Sequence, residues 1–256
     1  MNFNKYIEYL STKIKVYFKE NKYNKDGCIT KYILEKEKSD TLIVVLSSCT
    51  RPGIKARYNY NRTLKSIKAN KLFILDDSGI DSRGSYYLGK KNDVNIEDSV
   101  RELISSVKKQ VDIKHTIYAG SSKGGYAALY FGLDDENSDI IVGAPQYYLG
   151  NYLKETHPHI LEFIMGNNEE EGVEYLNNLL SGKIINCKYN GKIFIHYSTE
   201  ERTYKGHIKY LLNDLKGNDI PTNVDESRYT SHADVSKYFP KYLVDSINSI
   251  LNTLSE

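Results

Sequence analysis

One short run in this 256-residue chain has the residue types and spacing of an activated nucleophile: Gly120-Ser121-Ser122-Lys123-Gly124, a G-x-S-x-G pattern centred on Ser122. The apolar residues 116–119 predict a strand running straight into the first glycine, and Ala127, Ala128 and Leu129 predict a helix after the second. A strand–turn–helix of this kind holds its central residue on a strained turn. The positions two before and two after it must lack bulk, so that strand and helix can pass closely. The hydroxyl is then pushed out over the amino end of a helix, where developing negative charge is favoured. Neither a phosphate-binding G-x-x-x-x-G-K-[ST] loop nor a dinucleotide-binding G-x-G-x-x-G turn occurs in the sequence. Ser121 offers a second hydroxyl with the wrong flanks for the turn. Lys123 is expected to contribute its backbone N–H, its side chain being incidental.

A serine needs a base and an orienting acid, and after an elbow of this kind the chain order is serine, acid, histidine. His115 precedes the elbow, while His157, His159, His196, His207 and His232 follow it. His157 and His159 flank Pro158 and read as surface residues; His196 lies inside an apolar strand and reads as a core histidine; His207 falls on the next helix. His232 lies in Tyr229-Thr-Ser-His-Ala-Asp234, a polar loop between the last strand and the last helix, and is the candidate base. The acid is expected just past the strand 192–197, in Ser198-Thr-Glu-Glu201. Glu201 is the first choice, at the acid position of a G-x-x-D-like turn with Ser198 in the glycine slot. Glu200 is the second choice, with Asp225 and Asp234 as further options and a solvated acidic turn as the bland reading. An oxyanion hole needs two donors. The N–H of Lys123 is one, and the loop Ser47-Ser48-Cys49-Thr50 offers the other at Ser48, with Cys49 structural. Arg51, Arg57, Arg62 and Arg83 stand out because arginine is scarce beside lysine. They suit bidentate recognition of phosphate or carboxylate, which makes Arg51, Arg62 and Arg83 substrate-binding candidates, or they anchor loops.

The elements that must position these residues follow from periodicity. Residues 3–20 carry apolar side chains at helical spacing, then a polar break spans 22–27. Strands are predicted at 28–34, 41–46, 71–75, 116–119, 139–142, 192–197 and 222–225. Helices are predicted at 96–111, 126–133, 207–215 and 235–254. Between residues 146 and 187 the strand rhythm stops, and helical patterns divided by Pro158 and Glu169-Glu-Glu171 replace it. Alternating strands and helices predict an α/β protein with a mostly parallel central sheet covered on both faces, one domain over residues 1–256. Residues 146–187 are then a helical cap inserted within it, expected to shape the pocket and open as a lid.

Composition excludes several other classes. Lys plus Arg number 35 against 33 Asp plus Glu, a net charge of +2 without the strongly basic face of a nucleic-acid binder. Three cysteines at irregular spacing make neither a disulfide framework nor a zinc site, and suit a reducing compartment. No metal or cofactor is expected beyond an acyl donor. The longest apolar runs reach about half a membrane span, and the polar start at Asn2 to Lys5 does not resemble a signal peptide. A cytoplasmic protein without membrane insertion is expected. The 23 tyrosines and absent tryptophan reflect either the base composition of the genome or a sugar-stacking surface.

Several segments together resemble one group of proteins: Arg57-Tyr-Asn-Tyr-Asn-Arg62-Thr-Leu64, Asp76-Asp77 with Arg83-Gly-Ser-Tyr-Tyr-Leu88-Gly89, the elbow Gly120 to Ala128, and Ser231-His232 to Tyr238-Phe239. The group is the α/β-hydrolase-like serine acyltransferase and esterase family of accessory Sec secretion systems, with related capsular-polysaccharide biosynthesis proteins. The likeness runs over about residues 40–250, without the additional domains of the secretion component. It implies an α/β-hydrolase fold and a serine esterase or O-acyl (acetyl) transferase acting on cell-surface glycan, with Ser122 as nucleophile and His232 as base. It also implies cytoplasmic work beside membrane-bound capsule or secretion machinery. A second implied reading is a non-catalytic, hydrolase-like scaffold within such a complex. The chain departs from the group at the acid, where two adjacent glutamates follow Ser198 in place of the turn glycine.

Overall fold

The computed structural model describes residues 18–90 and 93–255. The helix expected over residues 3–20 therefore lies almost wholly outside the described residues. Eight strands form one sheet: β1 (Asn21–Lys25), β2 (Cys28–Glu35), β3 (Thr41–Leu46), β4 (Asn70–Leu75), β5 (His115–Ser121), β6 (Ser138–Gly143), β7 (Ile193–Ser198) and β8 (Thr222–Ser227). Their spatial order is β1-β2-β4-β3-β5-β6-β7-β8. β1 and β2 pair antiparallel, as do β2 and β4, and every later neighbour pairs parallel. The helices are α1 (Asn95–Gln110), α2 (Lys123–Gly132), α3 (Leu149–Thr156), α4 (Pro158–Met165), α5 (Glu170–Asn186), α6 (Lys209–Gly217, entered through a π turn at Tyr204–Ile208) and α7 (Val235–Ser255).

β1 is the one strand that the reading of the sequence did not expect. Residues 22–27 look like a polar break because they lack apolar alternation. The signal that defines the hairpin is Asp26-Gly27 at its turn, both with positive φ (49° and 87°). That two-residue geometry matches the twist of the paired strands.

The central strands are covered on both faces, which explains their continuous apolar character. Leu42, Val44 and Leu46 of β3 point into one core with α1, α2 and the helices α3 to α6. Ile43 and Val45 point into the other, beneath Phe239, Leu243 and Ile247 of α7 and beneath Leu64 and Ile67. The helices α3, α4 and α5 occupy the segment between β6 and β7 and bury Leu153, Leu161, Leu176 and Leu180 in the first core. No helix among the described residues is long and apolar enough to cross a membrane.

A buried ion pair fixes where α2 begins. Lys123 Nζ donates to Asp76 Oδ2 at 2.8 Å, to the Asp76 carbonyl at 3.1 Å and to the Arg83 carbonyl at 3.1 Å. Both side chains are fully buried. Asp76 also accepts the N–H of Tyr87 at 3.0 Å, and Lys123 and these donors hold its carboxyl below the usual carboxylate range despite burial. A Cβ on Gly84 would fall 1.9 Å from Lys123 Nζ and 2.4 Å from Asp76 Oδ2, so the loop 77–90 closes over the pair only because that position has no side chain. The Lys123 side chain, expected to be incidental, is thus the tether between the end of β4, that loop and the first residue of α2. Lys123→Met is expected to cost about 3–5 kcal/mol in denaturant unfolding, because it strands a buried carboxylate. Adding Asp76→Asn should restore part of that stability. A single variant within about 1 kcal/mol of wild type would remove the pair from this role.

Candidate active site

The parallel strands deliver the chemistry-bearing residues to one edge of the sheet, beyond their carboxyl ends, as expected for an open α/β sheet. β5 ends at Ser121, and Ser122 turns the chain into α2 with φ 51° and ψ −122°. Its N–H is donated to the Gly143 carbonyl at 2.8 Å, which ties the strained turn to β6. The two flanking glycines are required by space. A Cβ on Gly120 would lie 2.3 Å from the Gly124 carbonyl oxygen, and one on Gly124 would lie 2.2 Å from the Leu46 carbonyl oxygen. Ser122 itself is half-buried.

His232 opens a 3-10 turn (His232–Asp234) after β8 and places both ring nitrogens in contact. Nε2 lies 2.8 Å from Ser122 Oγ and Nδ1 lies 2.8 Å from Glu201 Oε1. Glu201 is 2% exposed, and its Oε2 has no partner among the described residues. The carboxylate therefore directs its charge at the imidazole. A carboxylate acceptor on Nδ1 fixes the tautomer with Nδ1–H donated to Glu201 and the Nε2 lone pair facing the serine.

Ser198 explains how an acidic turn and a histidine loop 31 residues apart are held in register. Its hydroxyl donates to the Tyr229 carbonyl at 2.7 Å and accepts the N–H groups of Tyr229 at 3.1 Å and Glu200 at 3.2 Å. The serine in the glycine slot is thus a cross-link. The other acids considered are engaged elsewhere or face water. Glu200 is exposed, Asp225 Oδ2 lies 2.6 Å from His196 Nδ1, and Asp234 pairs with Lys237 at 2.6 Å.

The remaining histidines also have partners. His115 contacts Asp139 at 3.0 Å, and His159 contacts Asp81 at 2.9 Å. His207 Nδ1 accepts the N–H groups of Tyr147 at 3.3 Å and Tyr148 at 3.2 Å, and burial lowers its pKa to about 4. It is neutral near pH 7, as an acceptor must be. Burial likewise lowers His157 to about 4.

Of the two expected oxyanion donors, one is differently employed. Lys123 is the first residue of α2, so its N–H has no carbonyl four residues back within the helix and faces the serine end. The N–H of Ser48 is donated to Asn59 Oδ1 at 2.8 Å, which removes it from the expected role. The Ser48 hydroxyl lies 2.8 Å from the Ser121 carbonyl and 3.0 Å from Ser121 Oγ, which in turn meets Tyr60 OH at 2.6 Å. Asn59 and Tyr60 of the Arg57-to-Arg62 segment thereby clamp the ends of β3 and β5 together. The segment is visible as a motif in the sequence, whereas this use depends on contacts between loops that no spacing rule relates.

The arginines divide. Arg83 is 4% exposed, and its guanidinium donates to the Thr50 carbonyl at 2.8 Å from Nε and 2.5 Å from Nη2, with Cys49 Sγ at 3.2 Å and Asp81 at 3.3 Å. It anchors the loop after β3, so its donors are not turned to a ligand. Arg51 and Arg62 are exposed. The Cys49 thiol is raised by burial and serves as packing beside Arg83. Among the described residues no group of His, Cys, Asp and Glu is arranged to hold a metal ion. One site residue has no sequence motif: Gln146, just past β6, whose Nε2 lies 3.2 Å from Ser122 Oγ.

No protein-family model and no curated protein matches the chain. Solved structures do. The capsule O-acetyltransferase of Neisseria meningitidis serogroup A, in complex with CoA, superposes with a TM-score of 0.76 at 22% identity, over 89% of this chain and 94% of that one. The Glycosylation Associate Protein (Gap123) complex of Streptococcus agalactiae gives 0.69 at 20% identity, over 88% of this chain and 46% of that one. The fluorophosphonate-binding serine hydrolase FphF of Staphylococcus aureus gives 0.63 at 15% identity, over 88% and 96%. Likeness at these identities speaks for the fold, and it agrees with a mostly parallel sheet flanked by helices. The chain has the α/β-hydrolase fold.

Proposed function

We propose that this chain is a serine esterase or O-acyl (acetyl) transferase acting on a cell-surface glycan or glycoconjugate, with Ser122 as nucleophile, His232 as base and Glu201 as acid. The observation that carries the reading is one imidazole hydrogen-bonded at 2.8 Å on each nitrogen, to Ser122 Oγ and to a buried carboxylate. His232 takes the Ser122 proton as Oγ attacks the acyl carbon, and Glu201 stabilises the imidazolium that forms. The carbonyl oxygen gains negative charge near the Lys123 N–H at the amino end of α2. Collapse expels the leaving group with the proton from His232. Water or a sugar hydroxyl then resolves the acyl-enzyme by the reverse proton path.

The transferase form is supported by the shared fold with a capsule O-acetyltransferase solved with CoA, which makes a CoA thioester the acyl donor to test first. The likeness to the Gap123 complex supports capsule or secretion proteins as partners. The helices α3 to α5, next to the site in the chain, are assigned to the pocket wall and lid, and exposed Arg51 and Arg62 are retained as substrate contacts.

A fluorophosphonate probe should label wild type and not Ser122→Ala, which should also lose at least about 10⁴-fold in p-nitrophenyl acetate turnover. Folded wild-type protein that fails to label would favour the non-catalytic scaffold instead. Glu201→Gln should lower kcat by about 10³–10⁴-fold, while Glu200→Gln should stay within about threefold of wild type. Equal small losses in both would remove Glu201 from the acid role.

A further inference from the structure

Acyl transfer of this kind uses two donors on the oxyanion, and the Ser48 amide is bonded to Asn59. One fully buried polar side chain beside the nucleophile has no role in the mechanism above. Gln146 leaves β6 after Ala144-Pro145, with Nε2 3.2 Å from Ser122 Oγ and Oε1 3.4 Å from the Tyr86 hydroxyl.

The direction of this amide follows from proton counting. His232 Nδ1–H is donated to Glu201, so Nε2 is an acceptor and the serine proton goes to it. Ser122 Oγ then has only lone pairs left for a third neighbour, and Gln146 must present its NH2. The Tyr86 hydroxyl, whose pKa burial pushes well up, remains protonated and donates to the amide oxygen. The segment carrying Gln146 is pinned on both sides. The Ala144 N–H is donated to the His196 carbonyl at 2.8 Å, and the Tyr147 and Tyr148 N–H groups go to His207 Nδ1. Gln146 is therefore held between β7 on one side and the π turn that enters α6 on the other.

We propose that Gln146 is a catalytic residue, donating from Nε2 to the substrate carbonyl oxygen as it becomes the oxyanion, alongside the Lys123 N–H. The assignment rests on Ser122 being the nucleophile. As Oγ bonds to the acyl carbon, the C=O π pair moves onto oxygen and the serine proton passes to His232. Oγ and the oxyanion are then attached to one carbon, so a donor in hydrogen-bond range of Oγ reaches the oxyanion by a small rotation. Collapse restores C=O and breaks the bond to the leaving group, which takes the proton from His232.

The test compares wild type, Gln146→Ala and Gln146→Glu by fluorophosphonate labelling, melting temperature and p-nitrophenyl acetate kinetics. Both variants are expected to fold and to label slowly but to completion. Their kcat should fall about 10²–10³-fold with KM within about threefold, and Gln146→Glu should be no faster than Gln146→Ala because its carboxylate repels the oxyanion. If Gln146→Ala unfolds, Gln146→Met, of similar length without a donor, carries the same expectation. A folded Ala or Met variant with kcat within about threefold of wild type, or a loss confined to KM, overturns the assignment. Wild-type protein that labels normally while these variants lose nothing rejects Gln146 alone. Wild type that does not label removes the nucleophile and this assignment together.

Discussion

The structure depends on a steric constraint: α2 must start within van der Waals contact of the ends of β3 and β5. Two Cβ atoms are forbidden there, at Gly120 and Gly124, and Ser122 is forced to φ 51°. A non-glycine residue in that region costs about 1–3 kcal/mol and persists only where its surroundings over-determine it. The surroundings here are hydrogen bonds: Ser122 N–H to Gly143, Ser48 Oγ to the Ser121 carbonyl, and Tyr60 OH to Ser121 Oγ. Strain is not confined to the serine. Tyr60, Tyr86, Tyr87 and Ala144 also have positive φ, and each lies on a loop beyond the carboxyl end of the sheet or on the segment leaving β6. The backbone distortion is concentrated where Ser122, His232 and Glu201 converge, while β3, β4 and β7 beneath are buried throughout.

Several polar groups that look like chemistry therefore serve geometry. Lys123 and Asp76 neutralise each other in the interior, and Arg83 bonds the carbonyl of Thr50. Ser198 stitches the acid turn to the histidine loop. Removing one partner of such a contact leaves a buried polar group unpaired, which costs more than the contact contributes. Around Ser122 Oγ itself stand one imidazole nitrogen of His232 and the side-chain amide of Gln146, at the turn where α2 begins.

Much of this was legible in the sequence because it is local or ordered along the chain. The elbow is contained in five residues, its strand and helix are periodic, and His232 and Glu201 can be reached by counting from the strands that precede them. The 146–187 excursion is visible because strand rhythm stops there, and it corresponds to α3, α4 and α5. What was not legible depends on contacts between distant loops. Asn59 meets Ser48, Lys123 reaches Asp76, and Gln146 reaches Ser122, with no spacing rule that relates the partners. β1 is a different kind of miss, since its Asp26-Gly27 turn signal was present and the absence of apolar alternation masked it.

The tyrosine excess acquires a physical use at this point. Tyr87 is fully buried; its hydroxyl donates to the Ile74 carbonyl and accepts the Ser47 N–H. Tyr118 reaches Asp135, Tyr130 reaches Glu97, Tyr58 reaches Glu20 and Tyr60 reaches Ser121. In each case an aromatic body fills the core while a polar tip bonds a group at its margin, a combination that phenylalanine cannot supply and that lysine supplies only with a charge. Burial raises the pKa of Tyr60 to about 12 and that of Tyr87 well above its ordinary value, so these tips remain neutral near pH 7. A sugar-stacking role would have to rest on exposed rings such as Tyr175, Tyr210 and Tyr238. Tyr60 and Tyr87 tie the strained loops that carry them to the ends of β3, β4 and β5, and ties of that kind are what hold such backbone distortion in place.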